Sequence, residues 1–246
     1  MSGTQFAVVV LASLLGATVK SVAGMGYPVL AVPIVALALG VEEAVVIVAL
    51  PNLAANVYLC WESRDTHDQA RDLPTLLGFG IVGAVVGTVA LVTVPEEPLL
   101  VLLATSIAVF VFNFLRRPDL AISERTGRRF SPAVGTVAGL LQGSVGVSGP
   151  VVATWVHGYR LAPRAFVHTV TLIFGVIGAA QIVVLATQGQ FDLDRLLGAL
   201  AAAVPVVIVT PLGVKLRDRF AGAAFDRVVL AVLLASAVSL LVDALT

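Results

Sequence analysis

A single cysteine, Cys60, stands in the whole chain. That excludes an intramolecular disulfide and a multi-cysteine metal site, and a lone thiol at the end of an apolar segment reads as filler. Charge is also scarce: charged residues make up 12% of the 246 residues, and the formal net charge is zero. No basic excess points to a nucleic-acid partner. No Asp or Glu falls in the middle of an apolar stretch, because Glu42, Glu43, Glu96 and Glu97 stand at segment ends and Asp243 near the C-terminus. A carboxylate proton relay is therefore not expected, and any proton coupling would use Lys20, a histidine or the substrate itself. No polar segment is long enough for a separate soluble domain. The N-terminus has no basic n-region, so its long apolar stretch is read as mature structure.

What is abundant is apolar. Hydrophobic residues make up 59% of the chain and its mean hydropathy is +1.02, whereas soluble domains run near half apolar and a quarter charged. The composition predicts an all-α polytopic integral membrane protein with the lipid bilayer as its main partner. The 22 glycines and 12 prolines fall largely inside apolar stretches, as in transmembrane helices. A spanning helix needs about 20 apolar residues. Six segments qualify alone: 43–61, 73–94, 98–115, 164–187, 193–212 and 225–244. Four are shorter, and they form two pairs, 5–19 with 28–39 and 132–142 with 150–157, each joined across a glycine break.

Basic residues orient the spans. The linkers Glu62–Asp72, Arg116–Arg129, His157–Arg164 and Lys215–Arg227 hold thirteen of the fifteen Lys and Arg and are expected on the cytoplasmic side. The connections Gly40–Glu43, Pro95–Pro98 and Thr187–Asp194 hold none and are expected outside, with Arg195 just beyond the last. The pair 132–157 then enters and leaves on one side. This predicts two re-entrant helical hairpins, one from each face, each followed by three spans. The N-terminal repeat would cover 1–115 with hairpin 5–39, a cytoplasmic linker 116–130, and the C-terminal repeat 131–246 with hairpin 132–157. The halves would have opposite orientation. They also align without gaps, Lys20 through Pro28 over Gln142 through Pro150, the weak internal similarity of inverted-repeat transporters. Reading each short pair as one kinked span would put an arginine-rich linker outside.

The two breaks are Ala23-Gly24-Met25-Gly26-Tyr27-Pro28 and Gly143-Ser144-Val145-Gly146-Val147-Ser148-Gly149-Pro150. Irregular backbone at membrane depth needs protein or a water-filled cavity around it. Proline restarts a helix at each break, and the new N-termini expose unpaired N–H groups at a positive dipole end. Two such ends meeting make an anion site. Glycines there can also serve helix packing alone. The expected substrate contacts are Gly24, Met25, Gly26 and Tyr27 at the first tip, and Gly146, Val147, Ser148 and Gly149 at the second. Lys20 has no water-exposed loop near it. A charge at such depth costs roughly 2.5–3.5 kcal/mol on insertion scales, which makes it the charge partner for a small anionic substrate, unless it snorkels. Gln142 is its neutral counterpart. Asn52 and Asn56, four apart on one helical face, and Thr171 complete the candidate set, as pathway or as interhelical hydrogen bonds. No metal or other cofactor is expected, and a homo-oligomer is left open.

Two readings compete with a transporter. One is an anion or small-solute channel sharing the same tips. The other is an intramembrane serine protease, since Gly146-Val147-Ser148-Gly149 matches the G-x-S-G loop of rhomboid proteases and His168 could supply a base. The rhomboid histidine is followed by a glycine pattern absent here, and the first break has no serine at its tip, so the chain is not read as an enzyme.

Gly24 through Pro33, followed by Ala44 through Asn52, resembles the first-half signature of the sulfite exporter TauE/SafE family, and Gly139 through Pro150 resembles its second-half signature. The resemblance spans nearly the whole chain in order and spacing. Two departures, the pair Tyr27-Pro28 and Ser148 in place of glycine, fall at the tips. The resemblance implies a multi-pass cell-membrane transporter, an exporter of sulfur-containing anions such as sulfite and organosulfonates, working by alternating access. The residues alone argue for an anion, a midplane site and inverted halves.

Overall fold

A computed structural model describes residues 1–116, 121–215 and 223–245. Among them lie ten α-helices and no strand: α1 (Gly3–Ala23), α2 (Tyr27–Leu39), α3 (Val41–Glu62), α4 (Leu73–Thr93), α5 (Glu96–Arg116), α6 (Glu124–Val145), α7 (Gly149–His157), α8 (Pro163–Thr187), α9 (Leu193–Lys215) and α10 (Ala223–Leu245). A short 3₁₀ helix, Arg64–Gln69, follows α3. Arg117, Arg217 and Arg219, expected in cytoplasmic linkers, lie outside the described residues, as do the side chains of Arg227 and Asp243.

Among the described residues, six helices are long and apolar enough to cross a bilayer: α1, α3, α4, α5, α8 and α9. Large apolar side chains cover their outer faces, among them Leu11 on α1, Val82 and Val86 on α4, Val183 on α8 and Leu200 and Val204 on α9, all more than half exposed. Water would not tolerate so continuous an apolar surface; lipid does. The protein is a multi-pass membrane protein.

The first arm of each short pair is longer than the sequence reading has it. α1 reaches 21 residues because Ser2 and Gln5 form a capping box that starts it early, and nothing stops it until Gly24 closes it in the left-handed region (φ 77°). α6 reaches 22 residues because Ser123 caps it, so its first turns take up part of the stretch expected as linker. The second arms are short, 13 residues in α2 and nine in α7.

Packing repeats between the halves. α1 packs on α2 and α9, as α6 packs on α7 and α4. α3 packs on α2, α8 and α9, and α8 on α7, α3 and α4. α5 and α10 pack on each other, α2 touches α10, and α7 touches α5. Each of these main contacts maps onto another, or onto itself, when α1–α5 are exchanged with α6–α10, whereas weaker ones, such as α5 with α6 and α3 with α5, are not matched to the same extent. The halves are interwoven: the first helix of each lies against the fourth of the other. Glycine permits the closest of these approaches. Gly80, Gly83 and Gly87 on α4 face Gly135, Gly139 and Gly143 on α6, and a Cβ at Gly83, Gly87, Gly139 or Gly143 would collide with backbone of the opposite helix. Gly143 therefore serves packing, although it opens the second break.

Candidate functional site

The two breaks meet. Gly26, Pro28 and Val29 from the first, and Gly146, Val147, Ser148 and Gly149 from the second, line one cavity with Lys20, Asn52, Gln142 and Phe174. The cavity is small, about 10 Å³, close to the least that holds a single water.

Backbone geometry turns each tip. Gly24 and Gly146 close the first arms in the left-handed region, with φ of 77° and 70°, and Gly26 opens α2 with φ of 106°, conformations that favour glycine. Both restarted helices lack a side-chain cap. Gly26 has no side chain to offer. Ser148 has the residue type that caps best, yet its hydroxyl donates to Gln142 Oε1 at 2.9 Å instead. The first N–H groups of α2 and α7 are thus left without side-chain partners beside the cavity, with the positive dipole ends there.

Lys20 is 1% exposed. Its ammonium donates to Asn52 Oδ1 at 3.1 Å and Asn56 Oδ1 at 2.6 Å, and it lies 5.8 Å from the Phe174 ring centre. Long side chains can snorkel to an interface; this one is held inside by two amides one helical turn apart on α3. The second half repeats the arrangement with neutral groups. Gln142 Nε2 donates to Gln181 Oε1 at 3.0 Å, and Gln181 Nε2 donates back to the Gln142 carbonyl at 2.8 Å. In both halves a long polar side chain three residues before the end of the first arm, Lys20 or Gln142, is anchored to amide groups on the third helix.

The remaining expected contacts sit elsewhere. Gly24 packs against Val167, and Met25 joins the apolar cluster under α6, α7 and α8. Tyr27 is fully buried, its hydroxyl 3.2 Å from Ser13 Oγ. Asn56 stands behind Lys20 and does not line the cavity. Thr171 spends its hydroxyl on the Val167 and His168 carbonyls of its own helix. His168 pairs with Cys60, its Nδ1 3.2 Å from the Cys60 carbonyl, while Ser148 bonds to Gln142. Val29 and Phe174 line the cavity without having been singled out, and Pro28, expected only to restart the helix, lines it too. Phe174 was within reach, because the offset that lays Gln142 over Lys20 also lays Phe174 over Asn52.

Ion pairs bind the halves at both ends of α3. At its start, Arg195 of α9 donates to Glu42 at 2.7 Å and to Glu43 at 2.6 Å. Beyond its end, Arg164 of α8 donates to Glu62 and Asp65, each at 2.9 Å. The Arg164 hydrogen bond holds the exposed Asp65 carboxyl below the usual carboxylate range. Beside α7, the Tyr159 hydroxyl accepts from Trp155 Nε1 at 2.7 Å and donates to Asp72 Oδ2 at 3.1 Å. Burial first, and the Asp72 charge after it, push this phenol up to about 12, against hydrogen bonds from Ser131 and Trp155. Among the described residues no group of three or more His, Cys, Asp and Glu could hold a metal ion.

A family model described as sulfite exporter TauE/SafE matches residues 9–240. A curated protein of Cupriavidus necator, described as a probable sulfite/organosulfonate exporter TauE, is 30% identical over 125 residues. That stretch is 51% of this chain and 49% of the relative, so the chain spans about half the length of the curated relative it matches. No solved structure matches.

Proposed function

The chain belongs to the sulfite exporter TauE/SafE family, and from that premise we propose that it is a secondary transporter, an exporter, of small sulfur-containing anions. It carries out no catalytic step. One observation carries the reading: the buried Lys20 ammonium has only neutral hydrogen-bond partners and borders a cavity where two uncapped helix N-termini meet. The N–H groups left at these ends and the ammonium can donate to an oxyanion, and a site shielded from water strengthens such contacts. Those groups exclude Pro28 and Pro150, and the Val151 N–H already bonded to the Ser148 carbonyl. Lys20, Asn52, Gln142, Ser148 and the backbone of the tips hold the anion. Asn56 positions Lys20.

The paired segments act as re-entrant hairpins in two halves of inverted orientation. The distribution of basic residues supports the inverted orientation, and the exchange symmetry of the main packing contacts supports the division into two halves. The cavity is too small for sulfite or a sulfonate as it stands. Loading therefore requires the tips to part, and parting them toward one face at a time is alternating access.

Reconstituted flux tests the function. Purified protein in liposomes should show saturable uptake of sulfite or an organosulfonate, with counterflow, and Lys20→Gln should abolish it. Flux without saturation or counterflow would mean a channel. Equal transport by Lys20→Gln would remove Lys20 as charge partner.

A further inference from the structure

The site carries one formal charge, although its architecture has two places for one. The first arm of each hairpin carries, three residues before its end, a long polar side chain at the cavity, Lys20 in one half and Gln142 in the other. Only the first is ionisable. Among the described residues lining the cavity, Lys20 is the sole charged group; Asn52, Gln142 and Ser148 are neutral, and the other side chains are apolar. Gln142 is not free to act otherwise, since its amide is held by both Ser148 and Gln181.

We infer that the site selects its anions by charge number, taking monoanionic oxyanions and rejecting dianions of the same size. This deepens the anion-transport reading and rests on it. A monoanion closing on Lys20 leaves the buried site neutral. A dianion leaves one charge buried without a counter-ion, which desolvation penalises heavily. The helix ends do not make up the difference. A helix terminus carries only a partial charge, about half an elementary charge, and α7, with nine residues, keeps its own negative end only about 13 Å away. The apolar remainder of the lining, Val29, Val147 and Phe174, suits an uncharged substituent where a dianion has a further oxygen.

Methanesulfonate and sulfate separate these cases: they are close in shape and differ by a methyl group in place of an anionic oxygen. Calorimetric titration of the full chain in nanodiscs at neutral pH should give methanesulfonate at least tenfold tighter binding than sulfate. Placing a second cation at the equivalent position, Gln142→Lys, should shift that ratio toward sulfate by tenfold or more. Sulfate binding as tightly as methanesulfonate to the wild type would overturn the inference while leaving an anion site standing. So would a folded Gln142→Lys protein with an unchanged ratio. If that variant does not fold, the wild-type ratio alone decides. If neither ion binds the wild type, the anion reading fails and the charge rule with it.

Discussion

The Lys20 ammonium donates to the Asn56 side-chain oxygen across 2.6 Å, and the Asn56 amide nitrogen is left buried without a hydrogen-bond partner. An amide thus stands where a carboxylate would have neutralised the lysine. The arrangement fixes the ammonium in place and leaves its charge available to a ligand.

Asn56→Asp tests this directly. The change keeps the side-chain size, removes the unpartnered donor and gives Lys20 an internal counter-ion. Methanesulfonate binding should fall at least tenfold, while thermal stability in detergent holds or rises. Binding equal to the wild type would show that the Lys20 charge does not face the substrate.

The glycine seam between α4 and α6 should be intolerant in a position-specific way. A Cβ at Gly139 meets the Gly80 carbonyl and nearby α4 backbone, whereas one at Gly178 on α8 meets nothing within 4 Å. Overpacking of this kind typically costs about 1–3 kcal/mol. Gly139→Ala should lower the melting temperature clearly, and Gly178→Ala should leave it unchanged or raise it slightly. Equal effects would mean the seam is looser than described.

Arg195 and Arg164 occupy related places but different surroundings. The Arg195 side chain is 14% exposed, against 48% for Arg164. Arg195→Gln leaves Glu42 and Glu43 facing each other without their cation and should destabilise by about 1–3 kcal/mol. Arg164→Gln should do less, since water screens exposed pairs. Parallel thermal denaturation of the two variants checks the order.

Tyr159 sets a pH window at the α7 end. Its ionisation is raised from 10.0 to about 12, so the folded state favours the neutral phenol. The stability this contributes is complete below pH 10 and is lost as pH rises toward 12. Denaturation followed across that range should show a steeper loss for the wild type than for Tyr159→Phe, and absorbance at 295 nm should show one late-ionising tyrosine missing from the variant.

Opposite orientation of the halves, as proposed, puts equivalent positions on opposite faces, such as Leu39 ahead of α3 and Leu161 ahead of α8. With Cys60 replaced by alanine, a cysteine at Leu39 should label only from outside and one at Leu161 only from the cytoplasm. Labelling of both from the same side would overturn the topology.

Composition and the lengths of the apolar stretches by themselves determined the class of this protein and most of its helices. A chain so apolar can bury its backbone polar groups in a bilayer only as helix, and the prolines at 28 and 150 mark where helices restart. The pairing of the two glycine breaks was legible too, because matched breaks in repeat positions carry a local signal. The length of α1 was not, because capping by Ser2 and Gln5 extends a helix past what hydropathy alone delimits. Nor were the different fates of the candidate polar residues. Asn52 and Asn56 share a face one turn apart, yet only the packing of α3 against α8 puts Asn52 at the cavity and Asn56 behind the lysine. Tyr27 and Thr171 looked equivalent to the lining residues, but one turns into Ser13 and the other back onto its own helix. Such choices depend on which helix lies opposite. That was decided by glycine-sized contacts between helices far apart in sequence, such as α4 with α6, and only the assembled tertiary structure contains them.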